Sequence, residues 1–240
     1  TVKKNDARSG LKPQAKDYVF SQSGIQATFS ILSSFFNFLI QEEISTMNPV
    51  SLIRQKSKYT VKQQHMSPVR RVSNLQWEYV IETIESLANT DPNKYERSLF
   101  ILNSLFSLYL RISELVADER SVPIMSDFRK DADGNWWLHV TGKGNKNRTV
   151  TVCSDMLNAL KRYRHFLGLS QLPSLNEQTP IISKVKGKGP VTSTRHIRRI
   201  VQECFDASYQ RMKNDGLEDD AQDLKTATVH WLRHTGISED

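Results

Sequence analysis

The chain is poor in the features that mark a secreted, membrane-bound or metal-held protein. It has only two cysteines in 240 residues, Cys153 and Cys204. They lack the spacing of a zinc site and are too few for a disulfide framework, so a reducing cytoplasm is the expected setting. No apolar run approaches the roughly 20 residues that a membrane span needs. The N-terminus is polar rather than signal-like, and no internal repeat is present. Acidic residues are absent from two stretches, Lys56–Arg71 and Ile181–Gln202. The formal charge of +7 is uneven: residues 1–71 carry 11 Lys+Arg against 4 Asp+Glu, and the rest of the chain carries 22 of each. An excess held in one segment points to nucleic acid or an anionic surface.

What is present suits one large or two small domains. Hydrophobic content is low at 38%, yet ten Phe and four Trp can anchor cores. Ser21-Gln22-Ser23 offers caps for a helix from about Gly24 to Glu43. Its apolar residues Ile25, Phe29, Leu32, Phe35, Phe36, Leu39 and Ile40 fall at helical spacing and predict a broad core face. Asn48-Pro49 breaks the chain and starts a short helix through Ile53. Lys56, Lys58, Lys62, Arg70 and Arg71, with Pro68 among them, read as a linker. It is a solvated tether or, in a protein that clamps DNA, a strap whose cations meet phosphates.

Leu75–Ala88 is amphipathic, and a nearly all-apolar helix follows from about Asp91-Pro92. After Pro123 the period changes. A turn at Asp131–Gly134, a strand from Asn135 to Thr141 and a β-branched run at Arg148–Val152 predict a small antiparallel sheet, with Gly142–Asn147 as the turn between its last two strands. Asp155–Leu167 reads as a structural helix. Lys184–Lys188 is a glycine-spaced basic loop that includes Lys186. Thr192-Ser193-Thr194 caps a helix that buries Ile197, Ile200, Val201, Cys204 and Phe205. Its first turns carry Arg195, His196, Arg198 and Arg199. Cations there oppose the helix dipole, a conflict that an anionic partner relieves. Asp215–Asp223, with five acids, reads as a loop.

Three stretches carry candidate chemistry. Phe100–Leu110 is apolar all round, as a buried helix is, and ends on Arg111-Ile112-Ser113-Glu114-Leu115. Arg111 at its end needs a partner; Glu114 makes it a structural ion pair, or the arginine is held ready for an anion. Thr226–Gly236 reads as a helix capped by Thr226 or Thr228 and ended or kinked at Gly236. On it His230 and Arg233 share a face, one able to move a proton near pH 7 and the other to fork onto phosphate oxygens. His230 and His234 are spaced for zinc, but Trp231 stands where His-Glu-x-x-His has its Glu. The turn Gly142–Asn147 lacks the spacing of a phosphate-binding P-loop. It is an exposed hairpin whose lysines aid solubility, or it delivers a lysine to a cleft.

Together these stretches resemble the tyrosine recombinase (phage integrase) family. Leu108–Leu115 is similar to its first box, Gly-Leu-Arg-x-Ser-Glu-Leu, with Tyr109 in place of the usual Gly. His230–Thr235 matches the second box, His-x-Leu-Arg-His-Thr. Thr141–Arg148 resembles the lysine-bearing hairpin between them. The resemblance covers roughly residues 20–240. It implies a mainly α fold with a small antiparallel β-sheet (α+β). A helical core-binding domain (1–55) and a basic linker (56–71) would precede a catalytic domain (72–240). Implied catalytic residues are Arg111, Lys143, His230 and Arg233, with Lys146 as the alternative lysine. Glu114 and His234 would support them. DNA contacts would come from the linker cations, Lys146, Arg148, Lys186, Lys188, Arg195, Arg198 and Arg199, with Arg148 on the backbone or capping its strand.

The activity implied is cleavage and rejoining of DNA strands through a 3′-phosphotyrosine, without metal or other cofactor. The partners implied are double-stranded DNA and, for the full-length protein, a homotetramer on it. A monomer is the alternative for a shorter chain. A cytoplasmic, nucleoid-associated location follows. In the family another His or Trp and then the nucleophilic tyrosine lie some tens of residues past the second box. Here the sequence ends at Asp240, and none of its seven tyrosines follows that box. The expectation is a recombinase seen without its nucleophile: a cut chain, a missing tail, or a product that is not a catalyst. A non-catalytic DNA-binding protein with the same fold is the chief alternative. A metal-dependent nuclease or phosphatase and a helical interaction protein are the others.

Overall fold

A computed structural model describes residues 22–56, 71–142 and 146–239. Lys58, Lys62, Arg70 and Lys143 therefore lie outside the described residues. The chain divides into two compact units, residues 1–67 and 68–240. Among the described residues no helix is long and apolar enough to cross a membrane.

In the first unit, α1 (Gln22–Gln41) packs on the short α2 (Pro49–Lys56). Asn48 joins them. Its Nδ2 donates to the Ser33 carbonyl at 3.0 Å and to Asn37 Oδ1 at 2.7 Å, while its Oδ1 accepts from Val50 N at 3.1 Å, capping α2. The apolar stripe of α1 is not the closed core predicted for it. Ile25, Phe29, Phe36 and Leu39 are half-buried, but Phe35 is 52% exposed. An eight-residue partner helix is too short to cover a stripe that runs the length of α1.

The second unit is built around α4 (Pro92–Ser107). Asp91 caps it, accepting from Lys94 N, and Pro92 occupies the first turn, where its missing N–H costs nothing. Phe100, Ile101, Leu102 and Leu105 are almost wholly buried. Around it lie α3 (Asn74–Thr90), α5 (Ser154–Phe166), α6 (Thr194–Asn214) and α8 (Val229–Glu239). Trp77 stacks on Phe106 with ring centroids 3.9 Å apart, and Phe100 on Tyr163 at 4.4 Å. A three-stranded antiparallel sheet interrupts the helices, with β1 (Phe128–Lys130), β2 (Trp136–Thr141) and β3 (Asn147–Thr151) in that order. Leu138 pairs with Phe128 on one side and Val150 on the other, and Val140 pairs with Arg148.

The secondary structure of the second unit departs from the sequence-based expectations at three places. The apolar helix does not run on to Arg111. It stops at Ser107, and Tyr109 takes a left-handed φ of 49°. That reversal keeps Leu110 buried and turns Arg111 outward, to start a separate 3-10 turn at Ile112–Glu114. The left-handed region costs a non-glycine residue about 1–2 kcal/mol, the physical reason for glycine in the motif that Leu108–Leu115 resembles. Residues expected as an acidic loop form α7 (Glu218–Thr226). Glu218, Asp219 and Asp220 occupy its first turn, where the helix dipole favours acids, and Ala221 and Leu224 are buried beneath it. Gly236 does not end the last helix, which continues to Glu239.

α8 is fixed by Thr235. Its buried hydroxyl accepts from Val72 N at 2.8 Å and lies 2.9 Å from the Trp231 carbonyl. One hydroxyl thus ties the start of this unit to the helix that carries His230 and Arg233. Thr235→Val should strand the buried Val72 amide and cost about 2 kcal/mol. Urea unfolding measures this, with Thr235→Ser expected to stay near wild type.

Candidate functional site

The centre of the site is a carboxylate out of water. The Glu114 side chain is 1% exposed. Oε1 accepts from Arg111 Nη1 at 3.0 Å, and Oε2 accepts from the Arg111 backbone N and from Arg148 Nη2, each at 2.7 Å. Burial alone pushes its pKa up, but the Arg111 amide and the Arg148 guanidinium outweigh that and hold it below the ordinary carboxylate value. Arg111 and Arg148 are 49% and 33% exposed, so each keeps donors toward solvent. Arg148 was expected on the DNA backbone or as a strand cap. The register of β3 points it at Glu114, a pairing the sequence did not suggest, and its Nε is buried without a hydrogen-bond partner.

α8 adds the next cations. Arg233 donates through Nη1 to the carbonyl of Tyr109, the residue whose left-handed turn exposes Arg111. Burial and then the nearby Arg111 charge lower the Arg233 pKa, with Arg148 acting the same way and Glu114 against. Three guanidiniums thus lie close together with one carboxylate, which pairs with two of them, an excess that favours an anion. Arg111, Arg233 and His230 line one cleft of about 470 Å³, together with Ser113, Thr228 and Arg198. Burial, then His234 and Arg233, hold His230 below the ordinary imidazole value, so it is neutral at pH 7 and able to accept a proton. His234 packs edge-on against the His230 ring, with centroids 4.5 Å apart. Among the described residues no group of three His, Cys, Asp or Glu could hold a metal ion.

The lysine hairpin enters beside this cluster. Gly142 N donates to the Lys146 carbonyl at 2.8 Å, closing the base of the loop. A Cβ on Gly142 would sit 3.2 Å from Glu114 Oε1, a tight contact that the carboxylate would have to relieve by shifting a few tenths of an ångström. Lys146 is exposed at the loop's exit.

The other expected DNA contacts are not gathered here. Lys56 closes α2 in the first unit, and Arg71 is exposed at the start of the second. Lys186 and Lys188 are exposed on the loop between Ser183 and Pro190, Arg195 is exposed on α6, and Arg199 pairs with Glu203 at 3.6 Å. Of the α6 arginines, only Arg198 faces the cleft. Arg97, which sequence reasoning passed over, and His196, noted only among the basic residues at the start of α6, form a cluster elsewhere, with Arg97 Nη2 3.3 Å from His196 Nε2.

No protein-family model matches the chain. Its sequence is 28% identical over 222 residues to the tyrosine recombinase XerC of Thermodesulfovibrio yellowstonii, covering 91% of this chain and 62% of that protein. XerC of Nitrobacter winogradskyi is also 28% identical, over 234 residues, covering 96% and 62%. The chain therefore spans less than two thirds of the length of these relatives. In fold it is similar to the Tn1549 transposon integrase, solved in complex with transposon right end DNA, with a TM-score of 0.55 and 16% identity over 98% of this chain and 69% of that one. The XerH recombinase post-cleavage complex gives a TM-score of 0.55 and 16% identity over 90% of this chain and 53% of that one. The chain is thus similar in sequence to tyrosine recombinases and similar in fold to solved members of that family.

Glu114→Gln tests the cluster. A carboxylate whose folded pKa is depressed contributes stability that is present above its ordinary value of 4.5 and lost as pH falls through the folded pKa. The variant should unfold about 2 kcal/mol more easily than wild type at pH 7. That gap should shrink below pH 4.5, as read by urea melts across the acid range.

Proposed function

We propose that this chain forms the DNA-binding and phosphate-activating part of a tyrosine-type site-specific recombinase. The observation that carries the reading is the cleft where Arg111 and Arg233 face one space beside His230, with Glu114 fixing Arg111 from below. A phosphodiester seated there would have its non-bridging oxygens forked by the two arginines. As attack proceeds the phosphorus gains negative charge, and cations already in place stabilise it without reorganising. His230, neutral at pH 7, accepts the proton of the attacking hydroxyl. Lys143, carried on the hairpin whose base abuts Glu114, protonates the leaving 5′ oxygen. The bond energy is kept in a 3′-phosphotyrosine, so rejoining needs neither nucleotide nor metal. Among the described residues no tyrosine lines the cleft, so the attacking tyrosine has to be delivered to it from elsewhere.

The remaining cations set affinity rather than chemistry. The first unit and the basic stretch 56–71 would lie along one side of the duplex, with Arg195 and the Lys186–Lys188 loop on phosphates. Assembly as a tetramer on two duplexes belongs to the same proposal. The absence of a tyrosine from the cleft favours a second reading, a DNA-binding protein that keeps the recombinase fold without cleaving.

The test uses the natural polypeptide that carries these residues and a nicked duplex whose 5′ end can diffuse away. Protein joined covalently to DNA on a denaturing gel is the expected result. Arg111→Ala and Arg233→Ala should each lower its yield at least about a hundredfold while still binding duplex. A polypeptide that binds duplex but forms no adduct supports the second reading. Normal yield from either variant removes the arginines from the reaction.

A further inference from the structure

A second group of cations lies where α4, the Ser183–Pro190 loop and the start of α6 meet. Arg97, half-buried on α4, donates through Nη1 to the Ser183 carbonyl at 3.2 Å and turns Nη2 to His196 Nε2 at 3.3 Å. On the other edge of the same ring, Arg199 Nη2 stands 3.3 Å from His196 Nδ1. These contacts cannot all be satisfied. A guanidinium only donates, and a neutral imidazole has one accepting nitrogen. One of the two arginines therefore meets an N–H with its own N–H, and in a protonated ring both do. Ser193 caps α6 through the His196 amide at 3.3 Å, so the positive end of a 21-residue helix adds to the excess. The three side chains line a pocket of about 530 Å³ with Lys184 and Lys186, and no carboxylate lines it. Glu203 pairs with Arg199 at 3.6 Å on the exposed side.

We propose that Arg97, His196 and Arg199 form a second phosphate site, with Lys184 and Lys186 at its rim. The site holds a backbone phosphate of the same duplex whose scissile phosphodiester lies in the Arg111 cleft. A phosphate oxygen accepts from both guanidiniums and from the ring, which removes the conflict among donors. Arg198, the residue before Arg199, faces the cleft, so neighbouring faces of one helix start serve both sites. The site thereby fixes how the duplex is placed across α6. The inference rests on the proposed DNA-binding function, and two readouts separate their failures.

The first readout is duplex affinity at several salt concentrations for wild type, His196→Gln, Arg199→Ala and Arg97→Gln. Losing one phosphate contact should weaken binding roughly fivefold near 0.15 M salt and flatten the salt slope by about one for the arginine variants. His196→Gln leaves the charge at pH 7 unchanged, so a loss there reports contact rather than field. Arg97→Gln also removes the Ser183 contact, so Arg199→Ala, exposed and far from the core, decides. Wild-type affinity and slope in both Arg199→Ala and His196→Gln overturn the site. The second readout is the His196 ring resonance in NMR, titrated with inorganic phosphate. A saturable shift in wild type that is lost in Arg199→Ala is expected, and no shift overturns the site. If no duplex binds wild type, the DNA reading fails and the phosphate titration alone judges the pocket.

Discussion

Everything chemical in this protein depends on one buried carboxylate. Glu114 is isolated from water and would be costly as a lone charge. It remains ionised because the Arg111 amide, the Arg111 side chain and Arg148 all donate to it. Those bonds work in both directions. They fix Arg111 at the mouth of a cleft, and they anchor the first residues of β3, where the chain leaves the lysine hairpin. Arg233 joins through the Tyr109 carbonyl, so the left-handed turn after α4 is both the hinge that exposes Arg111 and the acceptor that positions its partner. A group of cations around one carboxylate is over-charged by itself, and the phosphodiester we propose as its ligand would balance it.

The scaffold explains why these groups stay in place. α4 buries Phe100, Ile101, Leu102, Ser104 and Leu105 in its C-terminal half, so its end cannot shift without opening the core. Thr235 ties α8 to Val72, so the helix bearing His230 and Arg233 is pinned at the point where the second unit begins. Gly142 leaves room for the hairpin base against Glu114 where a methyl group would press on the carboxylate. Other features cost some intrinsic stability. A left-handed Tyr109, a buried charge and a basic start to α6 are local conflicts of the kind found at functional sites.

Much of this was legible in the sequence, because helical periodicity and local motifs are short-range signals. The α3, α5 and α6 helices, the strands of the sheet, and the pairing of Arg111 with Glu114 follow from residues a few positions apart. What was not legible depends on distance in the chain. Arg148 was read as a backbone contact or a strand cap, and its pairing with Glu114, 34 residues earlier, was not foreseen because nothing near it reveals the register of β3. Arg97 lies in an apolar helix, 99 residues from His196, and no motif joins them. The i, i+3 spacing of His196 and Arg199 was the available hint. The α7 acids suggested a loop because charge was weighed above the three-residue spacing of Ala221 and Leu224, which is what buries that helix. The α1 stripe was over-read as core because periodicity says which face is apolar, not what covers it.

The central claim is that the cluster built on Glu114 is a phosphate seat. The most direct measurement is a crystal structure of the chain bound to a short DNA duplex. A backbone phosphate contacting Arg111 and Arg233 beside His230, with both Glu114 ion pairs intact, is the expected result. A duplex bound across another face, with the cleft empty, would contradict it.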